Sequence, residues 1–381
     1  MRIAWLGALA ALAFLPGGAG AGDHWETLLD QAVRDAVAEG QTPGAVLLIG
    51  QGERVVLRKA YGFRSFSPER FPMTPETVFD VASLTKVVAA APAVMLLVER
   101  GLLDLDASLR RYLPELREGG VGRVTIRQLL THTGGLPAAP PDSLLKDGRP
   151  DLRGFARLPL ESAPGERFLY SDTGFILLGE LVRQRSGSPL DRFAWEQFYR
   201  PLGMRDTGYL PLSSLSECET GRIVSTGRSS VRGIEKVGEV DDENAAAMGG
   251  VAGHAGVFST AHDLFLFSRE ILRARRGEGR VLSRASALRM TERVTAPEGC
   301  PRTPGWDSPT SDTEGGSQAG GQFSPNTVGH LGFSGCSLWI DLEREATVVL
   351  LTNRVYYGQD NGRLKALRPR IHDAVLAAMD G

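Results

Sequence analysis

The feature that most restricts what this chain can fold into is the position of its strand-like segments, which lie at its two ends. Ala45 to Ile49 and Arg54 to Tyr61 are apolar or alternating runs joined by the turn Gly50-Gln51-Gly52-Glu53, the pattern of a β-hairpin. Ser337 to Asp341 and Thr347 to Thr352 repeat it near the other end, across Leu342-Glu343-Arg344-Glu345. Between these pairs the periodicity is helical, with the clearest stretches at Val81–Arg100, Gly174–Gln184, Leu190–Tyr199 and Thr260–Ile271. Trp25–Glu39 and Leu367–Met379 read as flanking helices. A two-stranded hairpin is marginal by itself, so the two ends are expected to pair. The predicted class is α+β: one antiparallel sheet built from the two ends and flanked by helices, with a mostly helical lobe inserted over about residues 105–245.

Local signals refine this outline. Pro92 falls inside the Val81–Arg100 pattern and should bend or split that helix. Thr260-x-x-Asp263 reads as a capping box at the start of its helix. Ala138–Arg153 is Pro-rich and reads as a surface loop, and Gly315–Gly321 as a flexible one that lacks the form of a phosphate loop.

Residues 1–21 have the organisation of a secretory leader: Arg2, an uncharged run from Ile3 to Leu15, a break at Pro16-Gly17-Gly18, and the small-x-small site Ala19-Gly20-Ala21. The run is shorter than the roughly 20 residues that span a bilayer. The expectation is a periplasmic or secreted protein comprising residues 22–381, with no stable membrane span after cleavage. Cys218, Cys300 and Cys336 are an odd number, so at least one thiol has no partner within the chain; Cys218 and Cys300 could pair. The formal net charge of −2 and the absence of a long basic run give no sign of a nucleic-acid partner.

Chemistry is suggested first by Ser83-Leu84-Thr85-Lys86, at the start of an apolar helical pattern. Residues three apart on a helix share a face, so the amine of Lys86 can reach the hydroxyl of Ser83. A free serine is a weak nucleophile and needs such a neighbour. Backbone N–H groups at a helix start favour developing negative charge. Lysine is scarce here, occurring only at positions 59, 86, 146, 236 and 365. Ser143-Leu144-Leu145-Lys146 matches the same tetrad, but it falls in the Pro-rich loop and reads as accidental. No G-x-S-x-G or H-E-x-x-H occurs. Asp241, Asp242, Glu243 and His254 match no metal-ligand spacing and read as a solvated acidic loop, and His132 reads as bracing a turn before Gly134-Gly135.

Three ordered elements then carry a resemblance: Ser83-Leu84-Thr85-Lys86, Tyr170-Ser171-Asp172 and His330-Leu331-Gly332. Leu129–Leu136, Gly249–Ala261 and Gly332–Asp341 support it. In order and spacing the chain resembles the serine β-lactamase and penicillin-binding protein superfamily, in its class C-like branch of esterases and peptidases. The resemblance implies a Ser83 acyl-enzyme, Lys86 keeping the proton network in order, and Tyr170 as general base with its phenolate favoured by the ammonium nearby. It implies an oxyanion hole from the backbone N–H groups of Ser83 and Phe333, and substrate contacts from Asp172, His330 and Gly332. It implies a small acyl substrate (ester, peptide or β-lactam) and neither cofactor nor metal. Two positions depart from the penicillin-type pattern. Asp172 stands where the superfamily usually has Asn, and a carboxylate accepts hydrogen bonds but cannot donate them. His330 and Leu331 stand where many members have Lys and Thr. Esterase activity is therefore expected over β-lactamase or D-Ala-D-Ala carboxypeptidase activity, with a non-turnover penicillin sensor as the reading from another class. A partly protonated His330 is expected to help bind a carboxylate at mildly acidic pH.

Overall fold

The computed structural model describes residues 22–146, 148–209, 221–228, 235–309, 317–358 and 361–380. Residues 1–21, Cys218 and the first residues of the glycine-rich run lie outside them. The two ends of the chain do build one sheet. Strands β1 (Gly44–Gln51), β2 (Arg54–Ser65) and β3 (Phe71–Pro72) come from the start. β7 (Thr327–Leu331), β8 (Ser337–Asp341) and β9 (Ala346–Thr352) come from the end. The order is β7-β8-β9-β1-β2-β3. β1 and β9 pair antiparallel at the centre, from Ala45 opposite Thr352 to Gln51 opposite Ala346.

Both faces of the central strand are covered, which is why its sequence is almost continuously apolar. Ala45, Leu47 and Ile49 point to one face, where Leu29 and Val33 of helix α1 (Gly22–Ala38) and Ile371 and Val375 of the last helix are buried. Val46 and Leu48 point to the other, toward Leu264 and Phe265. A Cβ on Gly50 would sit 2.2 Å from the Phe265 ring, so only glycine lets that helix lie so close to the sheet.

A second sheet brings together strands from three separate parts of the chain. Its strands are β4 (Phe79–Asp80), β5 (Gly208–Tyr209) and β6 (Val257–Ser259), in the order β4-β6-β5. After β4 the chain makes a 3₁₀ turn at Ala82–Leu84 and a π-helical turn at Lys86–Ala90 before regular helix α2 (Ala91–Glu99) begins. Pro92 follows the π-helical turn, and the backbone runs through Ala90 and Ala91 in right-handed helical geometry, so the helix changes type ahead of Pro92 and is not split. Val87 to Leu97 is buried throughout. Helix α3 (Asp172–Ser186) lies against α2 in the same core.

One capping detail differs from expectation. Thr260 accepts the Asp263 N–H at 3.2 Å and starts helix α4 (Ala261–Arg276). The Asp263 carboxylate does not complete the box; it accepts from the Asp206 N–H and the Thr207 hydroxyl, each at 2.8 Å. The chain closes with helix α5 (Leu364–Asp380) on the α1 side of the sheet. Cys300 and Cys336 are buried free thiols.

Candidate active site

Ser83 emerges from a strained turn. Ala82 has φ +48, a conformation that a residue with a Cβ adopts only under constraint. The constraint is Asp80, whose buried carboxylate accepts the Ala82 N–H and the Asp241 N–H, each at 2.8 Å. Burial raises the Asp80 pKa to about 6 even though both hydrogen bonds pull it down. Ser334 Oγ donates to the Asp80 carbonyl at 2.8 Å and ties the turn to the main sheet. Ser83 thus sits in a single 3₁₀ turn, and the regular helix begins only at Ala91. The helical stretch is nonetheless continuous from Ala82 to Glu99, with Ser83 in its first turn.

Lys86 does reach Ser83. Its side chain is 0% exposed, and Nζ donates to Ser83 Oγ at 2.9 Å and to the His254 carbonyl at 3.1 Å. Asp172 Oδ1 lies 2.7 Å from the same Nζ. That oxygen has no well-aligned hydrogen bond, so the contact is foremost one of charge. Burial pushes the Lys86 pKa down, but Asp172 and Tyr170 outweigh it and the net shift is upward. Lys86 is therefore a fixed ammonium at the floor of the site.

Tyr170 completes the group, its hydroxyl donating to Ser83 Oγ at 3.1 Å. The ring stacks on His132, with centroids 4.5 Å apart. His132 takes φ +56 and accepts the Ser171 N–H on Nδ1 at 3.0 Å. Burial, then Arg302 and Lys86, hold the His132 pKa well below its usual value. A histidine that braces a turn is what the sequence suggested. Ser171 caps α3 by accepting the Gly174 N–H, which fixes Asp172 one residue along.

The opposite wall is the end of β7. Gly332 is required there: a Cβ would meet the Val81 carbonyl at 2.6 Å. Phe333 follows at the rim, 51% exposed, with Arg354 over its ring. Arg368 of α5 holds this loop from behind, donating to the carbonyls of Gly332, Gly335 and Cys336 at 3.2, 3.2 and 3.4 Å. His330 departs from expectation. It is buried, its Nδ1 lies 2.8 Å from the Leu331 carbonyl, and burial, Arg302 and Lys86 press its pKa well below the usual value. A neutral His330 supplies no positive charge to a carboxylate at mildly acidic pH.

Ser83, Tyr170, Asp172, His330, Gly332 and Phe333 all border one cleft of about 640 Å³. Ser143, in the second tetrad, is exposed in a 3₁₀ turn, with no helix linking it to position 146. The acidic segment is engaged rather than simply solvated: Asp241 pairs with Lys236 at 2.8 Å and Asp242 with His254 at 2.9 Å. Among the described residues no group of His, Cys, Asp or Glu is arranged to hold a metal ion. Asp80, Arg302 and Arg368 also serve this cleft and were not singled out from the sequence, because none falls in one of the three elements.

Residues 29–371 match the family model described as Beta-lactamase. The chain belongs to the beta-lactamase family. A beta-lactamase-family relative from Escherichia coli (strain K12), provisionally named D-alanyl-D-alanine carboxypeptidase, is 32% identical over 82% of this chain and 78% of its own. One from Bacillus subtilis (strain 168), named N-acetylmuramyl-L-alanine amidase, is 30% identical over 86% of this chain and 80% of its own. The structure of EstCE1, described as a hydrolase with promiscuous acyltransferase activity, superposes with a TM-score of 0.72 at 26% identity, covering 93% of this chain and 99% of that one. The chain is a serine hydrolase of this family.

Two outcomes follow from the geometry. Ser83→Ala is expected to abolish hydrolysis and fluorophosphonate labelling, whereas Ser143→Ala leaves both near normal; Lys86→Ala and Tyr170→Phe each lower kcat by roughly 10²–10⁴-fold. Normal labelling of the Ser83→Ala protein would refute the assignment. Because burial and two cations keep His330 and His132 neutral, kcat/KM is expected to show no histidine inflection between about pH 5.5 and 7.5. Steady-state rates across that window check this, and an inflection that disappears in His330→Asn would contradict it.

Proposed function

We propose that this protein hydrolyses small acyl esters through a Ser83 acyl-enzyme and does so better than it opens β-lactams. One observation carries the reading: a carboxylate, Asp172, stands 2.7 Å from the buried Lys86 ammonium. A penicillin presents an acylamide that needs a donor at this point, and a carboxylate engaged with an ammonium offers none. A simple ester makes no such demand. In the first half-reaction Ser83 Oγ attacks the carbonyl carbon and passes its proton to Tyr170 acting as general base. The Ser83 and Phe333 backbone N–H groups receive the developing oxyanion. Tyr170 returns the proton to the departing oxygen as the ester bond breaks. Water then cleaves the acyl-enzyme, and Lys86 remains an ammonium throughout.

The comparison that tests the reading is kcat/KM for p-nitrophenyl butyrate against nitrocefin and benzylpenicillin. Esters are expected to lead, and Asp172→Asn is expected to shift the ratio toward β-lactams by up to about tenfold, the scale of one neutral amide hydrogen bond. A tenfold lead for β-lactams in the wild type would replace this reading with a β-lactamase one. A single burst without turnover would favour the non-turnover sensor.

We also propose that the chain is exported and loses Met1–Ala21, on the strength of the charge, apolar run and Ala19-Gly20-Ala21 site. Intact mass of the native protein is expected to give a chain starting at Gly22. Retention of the leader on a cytoplasmic product would refute it.

A further inference from the structure

Arg368 is a buried cation that no carboxylate matches. It lies near the start of α5, is 6% exposed, and forms no ion pair among the described residues. Burial, helped by Arg354, pulls its pKa down to about 10. A charge held that deep is costly unless its donors are satisfied. Here they are satisfied by one short loop. Nε donates to the Gly335 carbonyl, and Nη2 to those of Gly332 and Cys336.

The loop already has other means of holding its shape. Gly332 N–H bonds to the Cys336 carbonyl at 2.7 Å and Gly335 N–H to the Gly332 carbonyl at 2.9 Å. Ser334 Oγ ties it to Asp80, and the Ser334 carbonyl accepts the Arg354 N–H at 3.0 Å. Gly335 has φ +107, and a Cβ there would lie 2.0 Å from Thr352 Oγ1. A full positive charge is more than this turn needs.

The charge matters at the peptide between Gly332 and Phe333. That peptide is trans, so its C=O and N–H point in opposite directions. The carbonyl faces Arg368, and the Phe333 N–H therefore faces away from it, on the side of the cleft that Phe333 borders. Among the described residues this N–H has no protein acceptor. The C=O and N–H of one peptide share a delocalised system. Two donors on the carbonyl oxygen, Gly335 N–H and a guanidinium, draw density from the nitrogen and make the N–H a stronger donor.

We infer that Arg368 is a positioning residue for the acylation step, acting through the Gly332–Phe333 peptide to hold and polarise the N–H that receives the oxyanion. This rests on the Ser83 acyl-enzyme reading and deepens it. As the bond from Ser83 Oγ to the acyl carbon forms, the carbonyl electron pair moves onto oxygen. That oxygen then meets a donor backed by a positive charge. Arg368 touches no reacting atom and moves no proton; proton transfer stays with Tyr170.

The test reads the acyl carbonyl directly. Ser83 is acylated with trans-cinnamoylimidazole, isotopically labelled at the carbonyl carbon, and the ester band is recorded by difference infrared spectroscopy. In the wild type the band is expected below that of the same acyl-enzyme unfolded in guanidinium chloride, because the hole weakens the C=O bond. Arg368→Gln is expected to move it back toward the unfolded position. The same variant is expected to lower kcat for p-nitrophenyl butyrate by about tenfold, less than the loss of a whole oxyanion donor, with KM within about twofold. Arg368→Lys keeps the charge and should keep most of the downshift. Only acylated molecules contribute, so a loss of folded protein weakens the band without moving it. A wild-type band position in Arg368→Gln would overturn the inference. Two bands in that variant, one at the wild-type and one at the unfolded position, would also overturn it, since the arginine would then only keep the loop closed. If Arg368→Gln does not fold, Arg368→Lys decides: a full return to the unfolded position overturns the inference and a retained downshift supports it. Failure of the ester reading looks different. A protein that acylates without turning over still gives the band, and its shift in Arg368→Gln still supports the role of Arg368. A wild type that cinnamoylimidazole does not acylate at Ser83 would overturn both.

Discussion

Everything about this site depends on keeping one ammonium ion out of water. Lys86 is fully buried, and the desolvation of a charge that deep costs several kcal/mol unless it is matched by nearby partners. Its partners come from distant parts of the chain: Ser83 from the turn after β4, Asp172 from the start of α3, and a carbonyl at His254. The π-helical turn at Lys86–Ala90, the cap at Ser171 and the close approach of β6 to the Ser83 turn all bring these partners to bear on one atom.

The fold was legible because its determinants are periodic. Strand patterns at both ends and helical ones between them admit few arrangements, and β1 next to β9 is the pairing they suggest. Pro92 marked the change from π-helical to α-helical turns, a position where a missing N–H is tolerated. What escaped was reciprocal or long-range. Thr260-x-x-Asp263 has the letters of a capping box, but the carboxylate found better donors at Asp206 and Thr207, more than 50 residues away in sequence.

The site divides along the same line. Ser83, Lys86 and Tyr170 were readable because their spacing is tied to local structure, and the structure brings all three within hydrogen-bond reach. His330 was placed correctly, but its charge was not. A histidine in a sequence has an ordinary pKa; this one is buried beside two cations, a property of the assembled cleft. Arg302 had no motif to announce it, since its position depends on the exchange between Asp307 and Gly329 and on the rings of Phe168 and Tyr170. Arg368 acts through backbone carbonyls, which no residue pattern reveals.

The scattering of the partners of Lys86 also changes what a covalent probe of Ser83 measures. The strained Ala82, the carboxylate of Asp80 that holds it, the Lys86 cage and the stacked Tyr170 have their geometry only once both sheets and α3 have met. A chain that is compact but lacks any one of these contacts contains an ordinary serine with an ordinary alcohol's reactivity. On the proposed Ser83 acyl-enzyme, stoichiometric acylation counts natively folded molecules, and in a preparation of mixed quality the fraction acylated is a census of completed tertiary structure.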